Sequence, residues 1–168
     1  KINIELNKKF NKIMEDDYFH IFLCLPIDSY FDYCFGNLPY RSIIFEERKT
    51  NEKNLSAPVI NFTDNLKYTR KSQWSLLPNC PKVKGDYHTV TYEIPVDIKD
   101  NPGEYYYPIH TFESNKIFLK YLNLSKKYSK ITFCGRTGLF RYIDMIPCVT
   151  MHLEIANKFL NKIKHQKN

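Results

Sequence analysis

The chain has 168 residues, 43% of them hydrophobic and 15% aromatic, with a net charge of +7. That is ample apolar material for a core, yet no apolar run approaches the ~18–20 residues needed to cross a bilayer. The five cysteines form no CxxC and the five histidines no HxxxH, so disulfide-framework and zinc-site readings are both poor. Free, mostly structural thiols in a reducing cytoplasm are expected. The basic excess is mostly lysine at 1–12, 116–130 and 158–167. These lysines read as solvated helix faces. No recognition-helix or RNA-binding sheet pattern accompanies them, so neither a nucleic acid nor a membrane is expected as a partner.

Residues 1–6 alternate apolar and polar and predict a strand, and 19–23 predict a buried one. Aromatics at near-helical spacing over 27–35 predict a short helix ended by Gly36. Strands follow at 42–47 and 59–62, with a polar loop at 49–56 between them. Further strands are predicted at 71–77 and 87–95, separated by a turn at Pro78, Pro81 and Gly85. Residues 96–104 read as a polar loop. Residues 114–128 predict an amphipathic helix with Ile117, Phe118, Tyr121, Leu122 and Leu124 on one face. A short strand at 131–133 and a helix from about 147 to 164 close the chain. Strands with few intervening helices predict an α+β fold with a mostly antiparallel sheet and flanking helices.

The stretch 131–145, ITFCGRTGLFRYIDM, places an arginine and a carboxylate at a strand-to-helix turn. Gly135 and Gly138 bracket Arg136, so the backbone can turn sharply and approach a ligand. Asp144 precedes Pro147, which is tolerated in a helix's first turn. An ordinary connection with a solvent-facing Arg136 and a capping Asp144 reads equally well from this stretch alone.

Other segments stand in a telling order: Pro26-Ile27-Asp28-Ser29-Tyr30-Phe31-Asp32-Tyr33, Tyr40-Arg41-Ser42, Tyr68-Thr69-Arg70 and Tyr105-Tyr106-Tyr107-Pro108. Followed by 131–145, the series resembles the C-terminal portion of UDP-galactopyranose mutase over about 4–160. That family reads approximately GPIDxYFDYxFG, LxYRSLxF, NYTDxxVPYTR, EPYYP and GGRLGxYRYxDM. The resemblance implies an isomerase interconverting UDP-galactopyranose and UDP-galactofuranose for surface polysaccharide, with reduced FAD as cofactor. Flavin N5 is then the nucleophile, and no side chain is expected to be catalytic. Arg70, Tyr107 and Tyr142 correspond to substrate-binding positions that hold the diphosphate. Gly135, Arg136, Asp144 and Met145 correspond to cofactor-binding positions. Tyr106 is expected in the core and Arg141 to be structural. A carboxylate partner on a neighbouring strand is the alternative for Arg70.

Residues 129–168 are expected to complete a flavin-binding domain, with 1–128 forming the substrate-side region. None of the five glycines (Gly36, Gly85, Gly103, Gly135, Gly138) forms a GxGxxG turn, and the family's helical lid is also missing. The sequence therefore reads as a fragment that alone neither holds FAD nor turns over, with a separate N-terminal half as a candidate partner and a homo-oligomer allowed. The alternative is a non-catalytic remnant or accessory nucleotide-binding protein of the same family.

Overall fold

The computed structural model describes residues 2–81 and 85–166. Lys1, the centre of the predicted 78–85 turn and the last lysine of the 158–167 run lie outside them. In chain order the strands are β1 (Ile21–Leu23), β2 (Tyr40–Thr50), β3 (Val59–Asn61), β4 (Arg70–Ser72), β5 (His88–Asp97), β6 (Tyr107–Pro108) and β7 (Ile131–Phe133). The α-helices are α1 (Ile27–Tyr30), α2 (Phe112–Ser125), α3 (Gly135–Gly138) and α4 (Met145–Gln166). The chain divides into two compact units: 39–109, and 1–38 together with 110–168.

The 39–109 unit is a five-stranded sheet of order β3-β4-β5-β2-β6, and every neighbouring pair is antiparallel. Its spine is the β2–β5 pairing, which runs from Arg41 opposite Asp97 to Thr50 opposite His88. Strand β2 outruns the predicted 42–47 because its charged end is supported from the side. Arg48 bonds Glu46 and the Tyr68 hydroxyl (2.6 Å), and its guanidinium lies 4.5 Å from the Tyr92 ring centroid. The predicted 71–77 strand stops at Ser72. Gln73, 1% exposed, turns inward and its amide donates to Asn54 Oδ1 and Ser75 Oγ while accepting from Leu55 N–H. A 3-10 turn, Trp74–Leu76, follows. The predicted 96–104 loop begins with two strand residues, after which the Asp97 carboxylate accepts from Lys99 N–H and caps a 3-10 turn.

In the other unit β1 and β7 form a parallel pair, Ile21 to Leu23 against Ile131 to Phe133. Strand β7 matches its prediction to the residue. Helix α1 and the turn after it are anchored by aromatics: Tyr30 and Phe31 pack against Phe133 and Tyr128, and Phe31 stacks on Tyr121. The fully buried Tyr121 hydroxyl donates to Gly36 O (2.8 Å) and accepts from Phe35 N–H (2.9 Å), fixing the Gly36 turn onto α2. Helix α2 starts two residues before its predicted bound because Thr111 and Ser114 form a reciprocal capping box. Residues 2–6 form no strand. Ile2, Ile4 and Leu6 are each at least 80% exposed, and alternation yields a strand only when a neighbour completes its ladder. No helix among the described residues is long and apolar enough to cross a membrane.

The α+β class with a mostly antiparallel sheet therefore holds. The parallel β1–β7 pair is an addition that the local pattern did not announce.

Candidate functional site

Two groups of predicted site residues have to be located, one in each unit. In the 39–109 unit, register puts Arg70 on β4 opposite Glu93 on β5 and Asn61 on β3. Directly opposed strand residues have side chains on the same face, so a row forms across the sheet. Arg70 Nη1 lies 3.3 Å from Glu93 Oε1, and its Nε donates to Asn61 Oδ1 at 3.0 Å. Glu93 is only 6% exposed, so this guanidinium answers a nearly buried carboxylate. The carboxylate partner anticipated as Arg70's alternative is thus present.

Above the row opens a hollow of about 320 Å³, lined among others by Arg41, Asn61, Arg70, Glu93, Tyr106 and Tyr107. Tyr107 arrives on β6 opposite Arg41 of β2. Arg70 and Tyr107 thus share one cavity although 36 residues of sequence, a loop and a strand intervene. Tyr106 corrects its expectation: it is 41% exposed and lines the hollow, standing just before the two-residue edge strand β6. Arg41, from the Tyr40-Arg41-Ser42 segment, lines the cavity as well. Cross-strand register was the only signal that places it and Glu93 there. The lining combines two arginines, one glutamate and two tyrosines, residue types suited to a diphosphate that competes with Glu93 for Arg70.

In the other unit, β7 ends at Phe133 and Cys134 N–H donates to Leu23 O at 2.8 Å. Gly135 has φ +74°, and a Cβ at Gly138 would lie 2.8 Å from the Leu23 carbonyl oxygen. Both glycines are thus required by the turn, one by conformation and one by close approach. Helix α3 is this single turn, and Phe140, fully buried with φ +46°, closes it between His110 and Phe118. Helix α4 then begins at Met145, with Pro147 in its first turn and the Asp144 carbonyl accepting from Cys148 N–H at 2.9 Å.

Arg136 is partly buried, not solvent-facing. Its Cζ sits 4.6 Å from the Tyr142 ring centroid, and its buried Nε has no hydrogen-bond partner among the described residues. Tyr142 is 63% and Met145 85% exposed, and Asp144 is exposed too. Arg141 is exposed and reaches Met151 Sδ at 3.8 Å. An unanswered donor, an open carboxylate and an open apolar side chain around one turn fit a flavin carrying phosphate, hydroxyls and a ring. One donor is already engaged: Gly135 N–H bonds His152 Nε2 at 2.6 Å, while His152 Nδ1 faces Cys148 O at 2.6 Å. The ring must therefore accept at Nε2 and carry its hydrogen on Nδ1. No sequence motif points to His152, and only the fold brings it from α4 to this turn.

Comparison with known proteins agrees with the order of these segments. A Klebsiella pneumoniae protein named probable UDP-galactopyranose mutase is 30% identical over 99% of this chain, which covers 43% of that protein. An Escherichia coli dTDP-fucopyranose mutase is 30% identical over 97% of the chain, covering 45% of its own length. A Mycoplasma genitalium UDP-galactopyranose mutase is 29% identical over 95% of the chain and is itself 43% covered. The chain thus spans less than half the length of these relatives. The family profile described as UDP-galactopyranose mutase matches residues 1–142, and the chain belongs to that family.

Proposed function

We propose that this chain is the C-terminal part of a flavin-dependent UDP-galactopyranose mutase, interconverting UDP-galactopyranose and UDP-galactofuranose for surface polysaccharide in the cytoplasm. The observation that carries the reading is the single hollow shared by Arg70 and Tyr107. In this reading Arg70 grips the diphosphate and neutralises the charge that grows on it as the sugar–oxygen bond breaks. Tyr107 donates its phenol hydrogen to the same diphosphate, and Tyr142 is assigned to diphosphate binding on the family resemblance alone. Residues 129–168 belong to the flavin-binding domain. Around the Gly135 turn, the free Arg136 Nε answers a phosphate or ring-edge acceptor, Asp144 accepts from cofactor hydroxyls and Met145 offers an apolar surface. When bound, reduced FAD supplies the nucleophilic chemistry at the anomeric carbon.

The remaining part of such a mutase is a segment bearing a GxGxxG turn, which supplies the pyrophosphate site this sequence lacks. Its occupancy is supported by the apolar side of α4, where Met145, Ile146, Val149, Leu153 and Leu160 are all at least half exposed. Alone, the chain is expected neither to hold FAD tightly nor to turn over. Mixing it with a polypeptide carrying such a segment, FAD and dithionite, and following UDP-galactofuranose isomerisation, tests the proposal. Absence of flavin uptake in the mixture overturns it.

One observation favours a second reading, a family member that binds nucleotide without catalysis: the Gly135 amide at the turn is already taken by His152. The equal identity to a dTDP-fucopyranose mutase also bears on the base and sugar, so UDP and dTDP belong in the same titration.

A further inference from the structure

Cys24 follows the last residue of β1 and Cys134 follows the last residue of β7. Leu23 and Phe133 are register partners in the parallel pair, so the two cysteines occupy the next matched position along the ladder. Both are held from the backbone. Cys134 N–H bonds Leu23 O at 2.8 Å, and the Thr137 hydroxyl donates to Cys24 O. The two Sγ atoms stand 3.4 Å apart. A disulfide sulfur pair lies at about 2.0 Å with Cα atoms about 4.4–6.8 Å apart, a spacing that adjacent paired strands provide, so little backbone movement separates the two states.

The pair is also asymmetric. Cys24 is exposed, whereas Cys134 is 4% exposed and burial, with Cys24 beside it, pushes its thiol up to about 12. One sulfur meets solvent and the other waits behind it.

We propose that Cys24 and Cys134 are a reversible dithiol–disulfide pair, oxidised by a low-molecular-weight disulfide. The Cys24 sulfur attacks one sulfur of the small disulfide, whose S–S bond breaks and releases one small thiol. The Cys134 sulfur then attacks the Cys24 sulfur and expels the second small thiolate, which leaves with the Cys134 proton. Two protein thiols are oxidised and one small disulfide is reduced to two thiols. The bond ties the ends of β1 and β7 beside the Gly135–Gly138 turn, and in a reducing compartment such a bond acts as a redox sensor. This inference stands apart from the sugar-nucleotide reading, because it uses neither the hollow nor the flavin.

The test is oxidised glutathione applied to the full chain at mildly alkaline pH, followed by intact mass and peptide mapping without reductant. The expected product has lost two hydrogen atoms in mass and yields a cross-linked peptide pair containing Cys24 and Cys134, about tenfold or more over any other pair. Dithiothreitol restores both thiols. Exposed Cys34 should instead carry a glutathionyl group, since no cysteine partner stands beside it in the described structure. C148S should retain the 24–134 bond and C134S should convert Cys24 into a stable mixed disulfide. A persistent mixed disulfide on Cys24 in the unsubstituted chain overturns the proposal. So does a Cys134–Cys148 link, and neither result depends on a variant folding.

Discussion

The sheet unit and the strand–turn–helix unit treat their buried polar groups differently. In the sheet unit Arg70, Asn61 and Glu93 answer one another, and Gln73 and Ser42 are likewise bonded. In the other unit lie both buried side-chain polar atoms without a partner among the described residues, Asp28 Oδ1 and Arg136 Nε. That unit also exposes an apolar side of α4. An unanswered buried donor or acceptor costs about 1–3 kcal/mol. The sheet unit is therefore a self-sufficient scaffold around a hollow, while the turn unit retains buried polar atoms that its described residues leave unanswered.

The contrast is open to direct attack, and the largest effect expected is on the turn. Gly138→Ala drives a methyl group to 2.8 Å from a backbone carbonyl that cannot swing aside, so about 3 kcal/mol of stability should be lost in urea denaturation. A loss below about 0.5 kcal/mol would show that the turn is loose.

The next largest concerns the hollow. Arg70→Ala should weaken UDP binding about 30-fold in calorimetry, equivalent to ~2 kcal/mol, while Arg141→Ala changes it less than about twofold. Equal effects would remove the basis for placing the diphosphate in the sheet unit.

A smaller effect of opposite sign is expected at Glu93, whose carboxylate already holds Arg70 and, under the proposed function, competes with phosphate for it. Glu93→Gln should tighten UDP binding about fivefold at low salt, shrinking as ionic strength rises. A weakening instead would mean that Glu93 positions Arg70 rather than competing for it.

The smallest is a pH effect in the turn unit. Burial raises the Asp28 carboxyl above its ordinary value, against backbone hydrogen bonds from Leu38, Ser29 and its own amide that lower it. The folded state then binds the proton more tightly than the unfolded one. Stability is greatest below the unfolded aspartate value and falls as pH rises through the raised folded value. Asp28→Asn keeps an oxygen for Leu38 N–H, bonded at 2.8 Å, and removes the buried charge. It should gain about 0.5–1 kcal/mol at pH 7 and lose that advantage toward pH 4. A constant difference across the range would exclude Asp28 ionisation as the cause.

Sequence legibility followed how local each signal is. Strand β7 was readable to the residue because a β-branched apolar run meets a glycine turn. The start of α2 shifted by two residues because Thr111 and Ser114 cap it, a detail that hydrophobic periodicity passes over. Residues 71–77 misled because Gln73 and Trp74 look compatible with a strand. Only the buried amide network around Gln73 shows why the chain bends there. The site was legible as a set of motifs, and Arg41, Glu93 and His152 escaped because no motif assigned them a task.

By itself the sequence determined the family, the two glycines that make the Gly135–Gly138 turn possible, and the α+β class. These depend on residue type and short spacing, which the chain carries wherever it goes. Tertiary structure alone decided that β1 and β7 lie parallel, that Cys24 faces Cys134 at 3.4 Å, and that Arg70 rests on Glu93. Those contacts join residues 23 to 110 positions apart. Closing such loops is decided by the packing of whole units, since the chain entropy opposing closure hardly distinguishes one distant partner from another.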